Sequence, residues 1–387
     1  MNILLGVIVG IIVLTILVVA HELGHALVAR RYGTVVEEFG IGFPPKAWGK
    51  KVKKSILGKD VLFSINWLPL GGFVKMQGEH DDDTGKGDYG AMTFWQKTQV
   101  LLAGVVVNWL LAVVLITILA LVGIPKIMPN QFSVPSDTHK VSQPVELVGV
   151  TKDLPAAKAG LKDGDQIITF AGKAVTTPDD LAKLTEDNKG KTVTIEYKRD
   201  NVSHDAMVAI RDNNDDKKGF LGVEPAQREV VRATWSAPVV GVCTTAQFTW
   251  LTLQGLGQLL GNTVSGLVMK FSPDHATQKQ ASENLAAAGN SVAGPLAIFG
   301  IIFPAADKMG PAYVIMIAAV ISLTLAVMNV LPIPALDGGR WFVTALYRVL
   351  KKPLTKDTEE RIHGTGFIVL MLLVVVISIA DIGKLQS

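Results

Sequence analysis

The chain has 387 residues, room for two or three domains, and 49% of them are hydrophobic, which points to several membrane spans carrying some soluble mass. A net charge of +3, with no basic patch interleaved with aromatics, gives no footing for nucleic acid as a partner. The single cysteine, Cys243, excludes an internal disulfide and any thiolate zinc cluster.

Residues 3–20 carry no charge, and neither a basic leader nor a small-residue cleavage signature precedes them, so 1–30 reads as a retained first transmembrane helix. His21-Glu22-Leu23-Gly24-His25 lies at its far end. Histidines four residues apart share one helix face, where two neutral imidazoles can hold one Zn²⁺ while the glutamate between them reaches a bound water. The bland alternative is a pair of satisfied histidines on an ordinary helix. Against it stands the position: counted back from Arg30-Arg31, His21 lies roughly 14 Å below the membrane surface, where ionisable groups are costly and by default functional.

The segment 31–97 reads as polar and loop-like. Eleven lysines and arginines fall between Arg30 and Lys97, which makes it cytoplasmic by the positive-inside rule. Within it, 61–67 reads as a strand, followed by a glycine-centred turn and a second short strand ending at Met76. A hairpin this apolar is either a packing element or a docking edge, and at membrane depth its backbone must be buried or line a wet cavity. Glu79-His80-Asp81-Asp82-Asp83 reads as a solvated acidic loop rather than a second metal site.

The second span, 98–125, has an uncharged stretch of twenty-four residues over 101–124. Its one strongly polar side chain, Asn108, is either a functional contact or interhelical glue. From 126 to 232 composition returns to that of a soluble α+β module, with strands at 145–150 and 192–197 and a helix beginning at Pro178. Since the second span starts inside, this module lies outside the cytoplasm.

Residues 233–312 combine an uncharged stretch at 233–269, a polar insert at 272–290 and an apolar stretch at 292–306. Crossing parity places 233–269 at the interface as an amphipathic helix. Pairing it with 292–306 as two crossings keeps parity equally well. The third span, 313–339, ends in Asn329-Val-Leu-Pro332-Ile-Pro334-Ala-Leu-Asp337-Gly338-Gly339, where two prolines must end the helix. That puts a carboxylate on irregular backbone, either needing a partner or solvated at a membrane-surface cap. Basic residues from Arg340 to Arg361 make the loop 340–364 cytoplasmic, so His21, His25 and Asp337 share a side and a depth. The last span, about 366–380 within the segment 365–387, is a short one packed among the others.

Taken together, the motifs resemble the site-2 protease family of zinc intramembrane metalloproteases, in its bacterial type with a PDZ domain between spans. The resemblance rests on 21–25, Gly71-Gly72-Phe73-Val74-Lys75-Met76, Ala103-Gly104 with Asn108, Asn329 through Gly339, and a PDZ-like core running from Val148 to Ile168 around Ala159-Gly160-Leu161 and Gly164-Asp165-Gln-Ile. It implies a multi-pass α-helical membrane protein with about four transmembrane helices, a membrane-associated β-hairpin and one inserted extracytoplasmic PDZ domain. It implies zinc held by His21, His25 and Asp337, with Glu22 as catalytic base and Asn329 as an oxyanion or ligand-positioning group. By the same resemblance Gly71, Gly72 and Phe73 belong to a re-entrant loop that contacts substrate. The implied reaction is hydrolysis within the transmembrane segment of single-span proteins, such as anti-sigma factors or signal-peptide remnants, pre-trimmed by another protease. The implied place is the cell membrane, among its lipids, with the active site near the cytoplasmic side. Val105 and Thr324 depart from the family's usual proline and asparagine. Two rivals make other demands. A membrane-anchored zincin cutting soluble peptides needs a third ligand soon after His25, and none precedes Glu37. A non-catalytic PDZ scaffold needs no metal for partner binding.

Overall fold

The computed structural model describes residues 3–386 apart from 129, 143, 200, 201, 217, 228 and 291. The chain divides into two compact units, residues 1–122 with 131–134 and 234–387, and residues 123–130 with 135–233.

Four described helices are long and apolar enough to cross a membrane: Leu4–Arg31, Phe94–Val122, Pro311–Val330 and Lys356–Gly383. The first unit opens with α1 (Ile3–Arg31), which is apolar all round up to His21-Glu22 and ends on paired arginines. Two long bent strands follow, β1 (Val36–Val52) and β2 (Val61–Met76), which pair antiparallel. Their register sets Gly40 opposite both Ser64 and Phe73, and Ile41 opposite both Ile65 and Gly72. Residues 38–41 thus lie between two arms of β2, and the expected hairpin within 61–76 is absent. The turn at Gly71, with φ of 85°, does reverse the chain, but the partner strand comes from 36–52, the stretch read as loop. That stretch escapes a strand reading because its exposure does not alternate beyond Phe43. Val36, Phe39, Leu57 and Val61 bury themselves against Ala26, Val19 and Leu23 of α1, which pins the sheet to the helix turn holding the histidines.

The helix α2 (Phe94–Val122) starts at a reciprocal cap: Thr93 Oγ1 accepts from the Gln96 amide and Gln96 Oε1 from the Thr93 amide. In the second unit, β3 (Ile124–Pro125), β11 (Glu229–Arg232) and β4 (His139–Ser142) form one small sheet. A second sheet runs in the order β10 (Val223–Ala226), β5 (Val145–Val150), β6 (Gln166–Phe170), β8 (Thr192–Arg199), β9 (Val202–Ala209), with β7 (Lys173–Ala174) beside β6. Helices α3 (Pro155–Lys158) and α4 (Pro178–Asp187) complete it around Leu147, Ile167, Phe170, Leu181 and Ile195. Buried Asp165 is forked by Arg199 through two contacts of 2.7 Å, which closes the Gly164-Asp165 turn.

Back in the first unit, the stretch 233–269 is mostly one long helix, α5 (Ala237–Met269). Here Gly241 faces Thr117 while Thr249 accepts a hydrogen bond from Trp109, eight residues on along both helices, so α5 runs antiparallel beside α2. The polar insert becomes α6 (His275–Asn290), tied back to α5 by Asn284 donating to Ser265. After α7 (Pro295–Ala297), a π-helical turn and α8 (Phe303–Met309) pack on α1 at Gly6 and Gly10. Gly310 and Pro311 open α9 (Pro311–Val330), which stops two residues before Pro332 as the prolines require.

Past the prolines the expected loop is instead α10 (Asp337–Val349), an amphipathic helix whose first residue is Asp337. The last helix, α11 (Lys356–Gln386), is far longer than the short span expected. The acidic stretch 79–83 is a loop, half-buried except at exposed Asp82, and it is anchored at several points. Asp81 pairs with Lys97, its amide donates to Glu359, the Glu79 carbonyl accepts from Arg340, and Asp82 accepts from the Lys356 amide. Apart from Lys97, these partners come from far along the chain, so local charge density does not reveal the anchors. Arg340 also lies 4.7 Å over the ring of Tyr89, whose phenol is pushed up to about 12 by burial and stays neutral.

Candidate metal centre

The helical spacing of 21 and 25 brings the two imidazoles together, Nε2 to Nε2 at 3.1 Å, on the side of α1 that meets α2. Asp337 comes from 316 residues on, its Oδ2 3.0 Å from His21 Nε2 and 3.3 Å from His25 Nε2. Among the described residues this is the one group of three His, Cys, Asp or Glu side chains whose donor atoms converge as a metal site requires.

Local structure explains how a carboxylate reaches this point. The turn after α9 carries the chain back over its own helix end, and the first turn of α10 crosses the last carbonyls of α9. A Cβ on Gly338 would stand 2.1 Å from the Val330 oxygen, and one on Gly339 1.9 Å from the Ile333 oxygen. Only glycines allow the approach. Arg340, one turn further on, ties α10 to Glu359 and to the Glu79 carbonyl, which fixes the helix that begins with Asp337.

The arrangement fits a tetrahedral cation. Ligand atoms around an ion with bonds of about 2.0–2.1 Å stand roughly 3.3 Å apart, close to the edges of this triangle. Hydrogen bonds alone do not account for it. His25 Nδ1 donates to the Val100 carbonyl at 2.7 Å, so its neutral ring turns the Nε2 lone pair toward another imidazole nitrogen and a carboxylate oxygen. Three facing lone-pair atoms repel unless a cation lies between them. On the other ring, His21 Nδ1 faces the Asn108 amide at 3.4 Å, while Asn108 Oδ1 is buried with no partner. Turning that amide over lets Oδ1 accept from His21 Nδ1–H, satisfies the orphan, and frees His21 Nε2 as a lone-pair donor. Asn108→Leu is therefore expected to weaken zinc binding about 10- to 100-fold with helix content retained. Chelator competition reads the affinity, and an unchanged value removes Asn108 from this role.

Glu22 leaves the triangle and points to the sheet. The Val74 backbone hydrogen-bonds its carboxylate, and a Cβ on Gly72 would stand 3.9 Å from its Cγ. Gly71 and Gly72 abut Val18 and Val19 of α1, whereas the Phe73 ring covers Gly40. Asn329, from the last turn of α9, reaches His21 Nε2 with its Nδ2 at 3.5 Å. Of the two departures, Thr324 bonds back to the Val320 carbonyl on an exposed face. Val105 lines an apolar cavity of about 280 Å³ with Trp109, Leu253, Val327 and Leu331.

Gly104, part of a resemblance-bearing motif in the sequence, has a role at the site that the sequence reading does not assign. A Cβ there would stand 2.5 Å from His25 Nε2 and 2.6 Å from His21 Cε1, so the two rings occupy the space a side chain would fill. Beside that motif, a small residue inside an apolar span marks close helix approach without saying to what.

Comparison with known proteins agrees with the geometry. The family model for peptidase family M50 matches residues 9–373. The regulator of sigma-W protease RasP of Bacillus subtilis is 26% identical, with 98% of each chain covered. The zinc metalloprotease RasP of Geobacillus kaustophilus is 26% identical, covering 97% of each. A Clostridium perfringens protein with a provisional zinc metalloprotease name is 30% identical over 97% of this chain and 98% of its own. Among solved structures, the PDZ domain of an SdrC-like protein of Listeria monocytogenes matches 21% of this chain and 87% of its own, with 29% identity and a TM-score of 0.19.

Proposed function

The chain belongs to peptidase family M50, the site-2 proteases, and is a zinc-dependent metalloprotease; from that premise we propose that it cuts a peptide bond inside the transmembrane segment of single-span proteins. The observation that carries this is the meeting of His21, His25 and Asp337 beside Glu22 and β2, with both histidines on a helix apolar enough to span a membrane and Asp337 just past the end of another. His21 Nε2, His25 Nε2 and Asp337 Oδ2 would hold the metal. Zinc, when bound, supplies a Lewis acid that lowers the pKa of a water and polarises the scissile carbonyl.

The rest of the chemistry falls to the chain. Glu22 takes the proton from the attacking water and returns it to the leaving amine. Asn329 Nδ2 donates to the developing oxyanion. A helical peptide bond is shielded by its own hydrogen bonds, so the substrate must unwind. The 72–76 arm of β2 offers it replacement backbone bonds as an added strand beside Glu22. The apolar cavity lined by Val105, Trp109 and Leu331 takes a neighbouring apolar side chain of the substrate.

The second unit is read as a PDZ domain outside the cytoplasm, with the active site on the lysine-rich side. What supports the PDZ reading is a cleft of about 330 Å³ between α4 and the edge strand β10, lined by Leu181, Phe220 and Val223. It is headed by the loop Gly219-Phe220-Leu221-Gly222, with φ of 74° and 78° at its glycines. Such an edge and loop accept a strand and its terminal carboxylate, which suits substrates already trimmed by another protease.

The test is cleavage of a purified single-span substrate by the full chain in proteoliposomes. Product masses are expected to map the cut inside the spanning segment, zinc chelation to abolish it, and removal of the substrate's external domain to raise its rate. A cut outside the span, or turnover surviving chelation, overturns the reading.

A further inference from the structure

We propose that the cleft between the start of α2 and the end of α10 binds the phosphate of an anionic phospholipid. It has a volume of about 330 Å³ and is lined by Thr93, Lys97, Tyr347, Arg348 and Lys352, with Asp81 beside them. Asp81 is matched by Lys97, which is buried. Arg348 and Lys352 have no carboxylate partner among the described residues; the guanidinium of Arg348 lies 5.2 Å over the ring of Phe94. Two cations thus remain unbalanced in a concave site, which favours the phosphate of an anionic lipid.

Depth and surroundings choose a lipid over a free anion. Phe94 is the first residue of a spanning helix, so the cleft opens where apolar chain gives way to polar loop. Beside it Trp95 is 70% exposed, the position at which indoles mark a membrane interface. Helix α10 has thirteen residues, about 20 Å in length, too short to cross a hydrocarbon layer of about 30 Å. Its Phe342, Leu346 and Val349, with Leu350 just beyond, recur at helical spacing and are all exposed, Val349 by 77%. An apolar stripe flanked by Arg348, Lys351 and Lys352 is the pattern of a helix lying in the headgroup region. A phosphate in the cleft and acyl chains along that stripe satisfy both halves of the surface. The lipid then anchors the far end of the helix whose first residue is Asp337.

The experiment is native mass spectrometry of the full chain in a neutral detergent, with equal amounts of phosphatidylglycerol and phosphatidylcholine. Wild type is expected to retain phosphatidylglycerol selectively, and Arg348→Gln with Lys352→Gln to weaken its retention about thirtyfold. The exposed pair Lys53→Gln with Lys54→Gln should leave it unchanged, as should the charge-keeping Arg348→Lys with Lys352→Arg. Equal retention of the two lipids, unchanged retention in the glutamine variant, equal loss in the remote pair, or loss in the charge-keeping pair overturns the proposal. Displacement by millimolar inorganic phosphate would show a free-anion site and overturn the lipid assignment.

Discussion

Glu22→Gln is expected to keep one zinc per chain and to lower turnover of a transmembrane substrate by about 10²–10⁴-fold, the usual weight of a positioned general base. The geometry separates the two readouts. Glu22 is outside the triangle of His21, His25 and Asp337, and its carboxylate faces the Val74 backbone. Glutamine has the same shape and still accepts from that amide, so neither the imidazoles nor the strand edge at 72–76 need move. What glutamine cannot do is take a proton from water. The loss should therefore fall on kcat and leave KM close to wild type. Asp337→Asn provides the contrast: it removes a charged donor from the triangle, and zinc content and turnover should fall together. Metal analysis beside a cleavage assay reads both variants. Turnover of Glu22→Gln within tenfold of wild type would move the base elsewhere.

The parts legible in the sequence were those whose causes are local. His21 and His25 share a helix face by spacing alone, at the end of an uncharged run that forms most of α1. The prolines at 332 and 334 end α9 wherever it packs, which made Asp337 stand out before its partner was known. Failures came where the deciding contact is remote. The stretch 36–52 has no alternation of its own and becomes a strand only by lying along β2. The acidic stretch 79–83 is drawn in by Arg340, Lys356 and Glu359, more than 250 residues away. Helix α10 was masked by its opening Asp-Gly-Gly, since two glycines in a first turn argue against a helix unless close packing demands them. In residues 233–269 the polar content has a packing use that composition does not show. Their Thr, Gln and Gly content looks interfacial, yet Gly241, Thr245 and Thr249 use it to pack against α2 and to bond their own helix carbonyls.

Gly104 carries the sharpest packing consequence. In Gly104→Ala the added methyl falls 2.5 Å from His25 Nε2 and 2.6 Å from His21 Cε1, well inside contact distance. The backbone offers little relief, because Gly24 on α1 already meets the Ala103 carbonyl of α2 at 2.9 Å from where its own Cβ would be. Sliding the helices apart would break the His25 bond to the Val100 carbonyl, one turn before Gly104. The rings must therefore turn, and the triangle opens. Overpacking of this kind costs about 1–3 kcal/mol, which expressed in metal binding is roughly 10- to 100-fold. Helix content should persist, since α1 and α2 are apolar over most of their length and held by the membrane. Gly255→Ala on α5 is the matched control: nothing lies within 4 Å of its added methyl, so it should bind zinc as wild type does and gain roughly 0.5–1 kcal/mol of helix stability. Zinc affinity by chelator competition, with circular dichroism alongside, distinguishes the two. Wild-type affinity in Gly104→Ala would mean the histidines sit differently when the metal is bound, and the proposed centre would have to be redrawn.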